Sequence, residues 1–447
     1  MADYLSLVER IGSEIREGVL RAGDRLPPQR EFAYAHGIAA STAGRVYREL
    51  VRRGLAVGEV GRGTFVRLGG APASQLLAEP TELSVDLELN FPQAQAQEER
   101  LIAGLAQIAT RRTDLVGSFQ PASARGTAHL RQVSAAFLSR AGWSPDPDRI
   151  LFAGSGKQAI AATLSTLASR GGERIGVEAL TYPFVKSVAR RLSITLVPLE
   201  MDEEGLSPEA LLKAHRAAPL AGVYLQPVLH NPLGVSMGRR RRSAIVDLLE
   251  SERIIAVEDA VYAFLDPDAP PLAALAPGQV IVVDSLSKRL SPGLSIGFAI
   301  APPDLTEAVR ASLQSGAWVA PGLNQALAGR WMSDGMTAAF VQEKQAAARQ
   351  RQALARERLG EFELMANPNA FHVWLKLPAP WRAEAFVAAA ARRRIALSPG
   401  SAFAVAPGHA PNAVRIALSA PPIEALSAAL LELAALLRQG GDADLEA

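Results

Sequence analysis

The first seventy positions arrange their apolar residues with helical and then with strand spacing. Leu5, Val8, Ile11, Ile15 and Val19 recur every three or four residues, which predicts an amphipathic helix over residues 4–18. Gly23 and the pair Pro27-Pro28 interrupt it, since proline brings no amide proton to a helix interior. A second short helix is expected from Gln29 to Ala35, closed by Gly37. A third runs from near Ala39 or Ser41 to Arg53, with Val46, Leu50 and Val51 on one face. Residues 55–57 and 64–66 read as two short strands around Gly61-Arg62-Gly63. Three helices and a glycine-tipped hairpin predict a winged helix-turn-helix, mainly α, whose third helix enters a DNA major groove.

From Gly69 to about Glu82 the periodicity stops, and Gly, Ala, Pro and Ser take over, as in a linker. The expected plan is a head over 1–68, a linker over 69–87 and a body over 88–447. In the body, apolar strand-like runs alternate with helical stretches. That pattern predicts an α/β unit with a mostly parallel sheet over about 140–330, and a smaller α+β subdomain built from the flanking segments.

Composition narrows the partners. The 447 residues carry a formal net charge of only +2, yet the first 70 hold eleven arginines against eight carboxylates. A basic module before a near-neutral body points to an anionic partner for the head. The absence of cysteine excludes disulfides, thiolate zinc sites and cysteine nucleophiles, and the six scattered histidines give no metal-binding pair. No apolar run reaches the ~18 residues of a membrane helix, and the start lacks a signal-peptide pattern. A cytoplasmic protein without membrane contact is the expectation.

The head string Gly23-Asp24-Arg25-Leu26-Pro27-Pro28-Gln29-Arg30-Glu31-Phe32-Ala33, followed by His36-Gly37-Ile38, Tyr47-Arg48-Glu49-Leu50 and Gly61-Arg62-Gly63-Thr64-Phe65-Val66, resembles the DNA-binding head of GntR-type bacterial regulators. The resemblance implies a double-stranded operator as partner, with Arg30, Ser41, Thr42 and Arg45 facing DNA and Arg62 on the wing. Arginines reach phosphates and guanine edges, and small hydroxyls fit the groove floor. Ala40 stands where relatives usually carry an arginine, so a divergent operator is expected.

In the body, four apolar runs each end in a polar cluster. Residues 149–153 lead into Gly154-Ser155-Gly156-Lys157, and 222–225 lead towards His230-Asn231-Pro232-Leu233-Gly234. Residues 254–257 lead into Glu258-Asp259-Ala260-Val261-Tyr262, and 280–283 into Asp284-Ser285-Leu286-Ser287-Lys288. Ligands of parallel sheets bind beyond the carboxyl ends of strands, so these clusters should converge. A lysine amine, a carboxylate, amide and phenol donors and a glycine-rich helix start are the parts needed to hold pyridoxal phosphate. Elimination supports Lys288 among six lysines: Lys157 belongs to the glycine-rich turn, while Lys213 and Lys344 read as polar helical positions.

With these motifs the body resembles fold-type-I aminotransferases, and its pairing with a GntR head resembles the MocR subfamily of regulators. The resemblance implies that Lys288 forms the Schiff base, Asp259 pairs with the pyridinium nitrogen, and Asn231 and Tyr262 contact the phenolic oxygen. Ser155, Gly156, Lys157 and Ser285 would hold the phosphate, Tyr182 would stack on the ring, and Arg415 would fork the carboxylate of an effector. Two positions depart from the pattern. Ser295 stands where relatives clamp the phosphate with arginine, and Phe119 lies near an expected phosphate-binding tyrosine from a second subunit. A homodimeric regulator that senses an amine, an amino acid or the cofactor is implied, with a catalytically active aminotransferase as the alternative.

Overall fold

Helix-forming stretches in the head bury one face each against the other two. The computed structural model describes residues 4–66 and 85–440, apart from positions 18, 22, 60–62, 93, 95, 111, 171 and 407 and the side chains of 16, 52, 59 and 112–114. Helices α1 (Tyr4–Arg16), α2 (Gln29–Ala35) and α3 (Ala40–Arg52) pack through Val8, Ile11, Phe32, Val46 and Leu50, all buried. Strands β1 (Arg25–Leu26), β2 (Ala56–Glu59) and β3 (Gly63–Val66) form an antiparallel sheet in the order β1-β3-β2. Two residues are too short a strand to show alternation, which is why β1 escapes a periodicity reading. Helix α1 ends at Arg16, and Val19, expected on its apolar stripe, is 68% exposed beyond its end.

The expected linker between 69 and 82 lies outside the described residues. The body begins at β4 (Val85–Asp86), ahead of the expected start at 88, because β4 pairs in parallel with a strand near the far end of the chain. Helices α4 (Gln97–Ala109), α5 (Arg112–Ser118) and α6 (Ala128–Leu138) then lead into the large sheet. Its elements are β5 (Ile150–Ala153), α7 (Gly156–Ser169), β6 (Arg174–Glu178), α8 (Pro183–Arg191) and β7 (Thr195–Leu199), then the hairpin β8 (Met201–Asp202) and β9 (Gly205–Leu206). They continue with α9 (Pro208–Ala217), β10 (Gly222–Leu225), α10 (Arg239–Ser251), β11 (Ala256–Asp259), β12 (Val280–Ser285) and β13 (Gly297–Ile300).

Seven strands align in the order β5-β13-β12-β11-β10-β6-β7, and only β13 runs against the others. Strands β5, β10, β11, β12 and β13 are buried along their whole length, as expected of a sheet covered on both faces. Two apolar clusters, one on each side of that sheet, make its core.

Helices α11 (Pro303–Ser315), α12 (Gly322–Ser333) and the long α13 (Met336–Leu359) carry the chain to the smaller subdomain. There β14 (Leu364–Met365), β15 (His372–Lys376), α14 (Ala383–Arg392), β16 (Ile395–Ala396), β17 (Ser398–Pro399), β18 (Ala413–Ala417) and α15 (Ile423–Gln439) assemble. Its antiparallel sheet has the order β14-β15-β18-β17, and β16 receives β4. The head meets this subdomain at α14. Gly23 sits so close to Ala385 that an added Cβ would lie 2.7 Å from the alanine Cβ, and the Arg382 guanidinium lies 5.1 Å from the Phe65 ring centre.

Candidate functional site

Beyond the carboxyl ends of β5, β10, β11 and β12 lies a cavity of about 420 Å³, closed on the far side by the smaller subdomain. Its wall includes Ser155, Gly156, Lys157, Tyr182, Asn231, Asp259, Tyr262, Ser285, Lys288 and Arg415. The structure thus brings to one place every body residue to which the resemblance gives a cofactor or effector contact. Parallel strands buried on both faces can only present polar groups where they end, and four of them end here.

Ser155 caps α7, its hydroxyl accepting from the Gln158 amide at 3.3 Å. Gly297 of β13 packs against this entry so tightly that an added Cβ would stand 2.2 Å from the Ser155 carbonyl oxygen, and one on Gly156 would stand 3.0 Å from the Ser285 Cβ. Bare backbone at these two positions leaves the amide end of a fourteen-residue helix facing the cavity, a ready place for a phosphate.

Asp259, at the end of β11, is 2% exposed. Its Oδ2 accepts from the Tyr224 hydroxyl at 2.5 Å and the Gln226 side-chain amide at 2.9 Å, and its Oδ1 from the Val261 amide at 3.1 Å. Burial pushes its carboxyl up to about 6, and the three donors restrain that rise. Sequence reasoning missed Tyr224 and Gln226. Tyr224 lies inside an apolar strand and reads as core, and nothing local marks Gln226.

Lys288 projects from the turn after β12. Its amine donates to the Asn90 carbonyl and lies 3.5 Å from the centre of the Phe91 ring. Burial, followed by the positive charges of Arg415 and Lys157, drives its pKa well below the ordinary lysine value, which favours the neutral nucleophilic amine. Tyr262 accepts from the Asn90 side-chain amide at 2.9 Å, so its own hydroxyl proton remains to be donated, and burial pushes it up to about 12. Asn90 carries no motif and was also missed. It comes from the segment after β4, remote in sequence from all its partners.

Arg415, on β18, reaches in from the smaller subdomain. It donates to Ser398 Oγ at 2.9 Å, to Asn231 Oδ1 at 3.3 Å and to the Glu88 carbonyl. Arg415 Nε and Asn90 Oδ1 are buried without a hydrogen-bond partner among the described residues. Two orphaned polar atoms on one cavity wall are groups that a polar ligand would satisfy.

The two departures also have a structural outcome. Ser295 is 3% exposed, and its hydroxyl pairs with Ser287 Oγ at 2.6 Å, so this position supplies no cation. Phe119 is 68% exposed and does not line the cavity. Lys344, expected as a polar helical position, is instead completely buried: α13 crosses the interior, so even its polar positions meet protein.

On the head, Arg30 lies on α2, and Ser41, Thr42 and Arg45 lie on α3. Arg30, Ser41 and Arg45 are exposed, Thr42 is half-buried, and the Arg45 guanidinium rests 4.2 Å from the Tyr4 ring centre. Arg62 lies outside the described residues. No described helix is long and apolar enough to cross a membrane, and the described residues contain no cluster of three or more metal-ligating side chains.

Residues 87–432 match the family model for aminotransferase class I and II, and residues 3–66 match that for bacterial regulatory proteins of the gntR family. The chain therefore belongs to the class I and II aminotransferase family. It carries a gntR-family DNA-binding domain in front, the arrangement of the MocR subfamily of transcriptional regulators. Among its relatives is the uncharacterized HTH-type transcriptional regulator YdeF of Bacillus subtilis, 31% identical over 97% of this chain and 94% of the relative. Another is the vitamin B6 salvage pathway transcriptional repressor PtsJ of Salmonella typhimurium, 27% identical over 92% and 93%. In fold the chain is similar to an archaeal alanine:glyoxylate aminotransferase, with a TM-score of 0.72 at 23% identity over 82% of this chain and 93% of that one. The family's cofactor is pyridoxal phosphate, and the amide end of α7, the buried Asp259 and the amine of Lys288 on one cavity wall fit it.

Proposed function

We propose that this transcriptional regulator holds pyridoxal phosphate covalently through Lys288 and senses an amine, an amino acid or the cofactor itself in the same cavity. The observation that carries this reading is the convergence of Lys288, Asp259, the α7 amide end and Arg415 on that single wall. The cofactor, when bound, supplies an aldehyde for the lysine amine and a ring that draws electrons from bonds to the attached carbon.

The chain's own residues supply the rest. Asp259, braced by Tyr224 and Gln226, holds the proton on the ring nitrogen. Asn231 and Tyr262 donate to the phenolic oxygen, and Tyr182 stacks on the ring. Ser155, Gly156 and Ser285 bind the phosphate with backbone and hydroxyl donors, and Lys157 provides the positive charge that Ser295 does not. Arg415 binds the carboxylate of an amino-acid effector, releasing its present contacts to Asn231 and Ser398.

The head reads a double-stranded operator through Arg30, Ser41, Thr42, Arg45 and Arg62. The molecule works as a homodimer in the cytoplasm. Exposed Ile102, Leu105, Val116, Phe119 and Leu323, on α4, α5 and α12 or at their ends, support an apolar contact with a second copy. Effector binding shifts the smaller subdomain, and through it the head packed on α14.

The test is the visible spectrum of the purified protein with pyridoxal phosphate, before and after borohydride. A trapped label on Lys288 that disappears in Lys288→Ala supports the reading, and a label on another lysine overturns it. Sustained turnover of amino donors without salt-sensitive operator binding would favour the aminotransferase alternative.

A further inference from the structure

The turn that carries Lys288 is held from behind by a second lysine. After β12 the Ser287 amide donates to Ser285 Oγ at 3.1 Å and the Leu290 amide to the Leu286 carbonyl at 2.6 Å, which closes one helical turn. A single turn leaves its last carbonyls without partners of its own, and buried carbonyls need them. Lys344 of α13 answers both: its ammonium donates to the Lys288 carbonyl at 3.2 Å and the Leu290 carbonyl at 2.9 Å. The Lys344 side chain is completely buried, and Glu343 beside it is engaged by Arg100 at 2.6 Å.

We propose that Lys344 is a positioning residue for Lys288, pinning the backbone of the turn so that the Lys288 amine is aimed into the cavity. The inference rests on Lys288 being the attachment point. Burial pushes the Lys344 ammonium down to about 7, the mark of a group that pays heavily for its place. A methionine would fill the same volume without that cost, so packing alone does not explain a lysine here. The Lys344 charge also adds, after burial, Arg415 and Lys157, to the forces that keep the Lys288 amine neutral.

The experiment compares the full-length protein with Lys344→Met, which keeps the length and removes the donors, and Lys344→Gln, which keeps amide donors on a side chain one atom shorter. Two probes are used: pyridoxal phosphate, followed by borohydride-trapped label against time, and pyridoxamine phosphate, which has an amine where attachment needs an aldehyde. Loss of hydrogen bonds from a charged group should slow attachment at least about tenfold in Lys344→Met and by a smaller factor in Lys344→Gln, with pyridoxamine phosphate affinity within about twofold of the parent. If Lys344→Met does not fold, Lys344→Gln against the parent carries the same comparison. Attachment at the parental rate in the variants overturns the proposal, as does an equal loss of both probes. A parent protein that takes up no trappable cofactor overturns the Lys288 assignment itself.

Discussion

The head and the body handle charge in opposite ways. In the head, Arg30 and Arg45 stand exposed on helices whose buried faces carry no charged side chain. In the body, Asp259, Asp284, Glu258, Arg140, Arg289 and Arg415 are all at most 9% exposed. Exposed charges act at a distance and are screened by salt. Buried charges act through contact and protonation state, and their removal leaves partners stranded in low dielectric. The contrast separates a head whose arginines are open to solvent from a body whose charges are enclosed around a cavity.

The largest effect is the total loss of borohydride-trapped cofactor in Lys288→Ala, a change that leaves the head untouched and should leave operator affinity in the absence of cofactor unaltered. Next comes the ion pair whose carboxylate lies at the cavity wall. Asp284 is 0% exposed and paired with Arg289, itself 6% exposed. Asp284→Ala strands that guanidinium and should destabilise the body by about 3–5 kcal/mol in denaturant unfolding. The double variant with Arg289→Met should recover most of the loss; failure to recover would place the cost elsewhere.

Substitution of an exposed head arginine should be milder and of a different kind. Arg45→Ala is expected to weaken operator binding by roughly 1–3 kcal/mol at particular base positions, with a stability loss of no more than about 1 kcal/mol from the lost stacking on Tyr4. Arg30→Ala should instead flatten the salt dependence by about 0.9 in slope if it neutralises one phosphate. Anisotropy titrations at several salt concentrations distinguish the two. An Arg45→Ala loss that is uniform across operator variants would remove it from base reading.

A further effect concerns acid. His372 is 1% exposed, and burial, followed by the Arg415 charge, depresses its pKa from 6.5 to about 3. Between those values the unfolded chain binds the proton and the folded one does not, so stability falls as pH drops below about 6.5. The slope approaches about 1.4 kcal/mol per pH unit from this group. His372→Gln should flatten that part of the profile, measured as the shift in urea midpoint between pH 7 and pH 5. An unchanged profile would mean that other groups dominate it.

The same contrast explains what could be read in advance. The helices of the head follow from spacing over a few turns, and the strand-end clusters carrying Asp259, Ser285 and Lys288 are legible because each motif is contiguous. A buried parallel sheet has one chemical edge, so contiguous motifs after its strands must meet there. The support of those motifs is non-local: Tyr224 and Gln226 on Asp259, Asn90 against Lys288 and Tyr262, and the burial of Lys344.

The sequence by itself determined the pairing of a helix-turn-helix head with an aminotransferase-like body and the contiguous strand-end motifs that line the cavity, because periodicity and short motifs encode local geometry. Tertiary structure alone decided that β4 starts the body by joining β16, that Ser295 spends its hydroxyl on Ser287, and that Lys344 lies in the interior. Each of those depends on which distant segments fill the space around a side chain, and the desolvation that shifts the charges of this site arises only when they do.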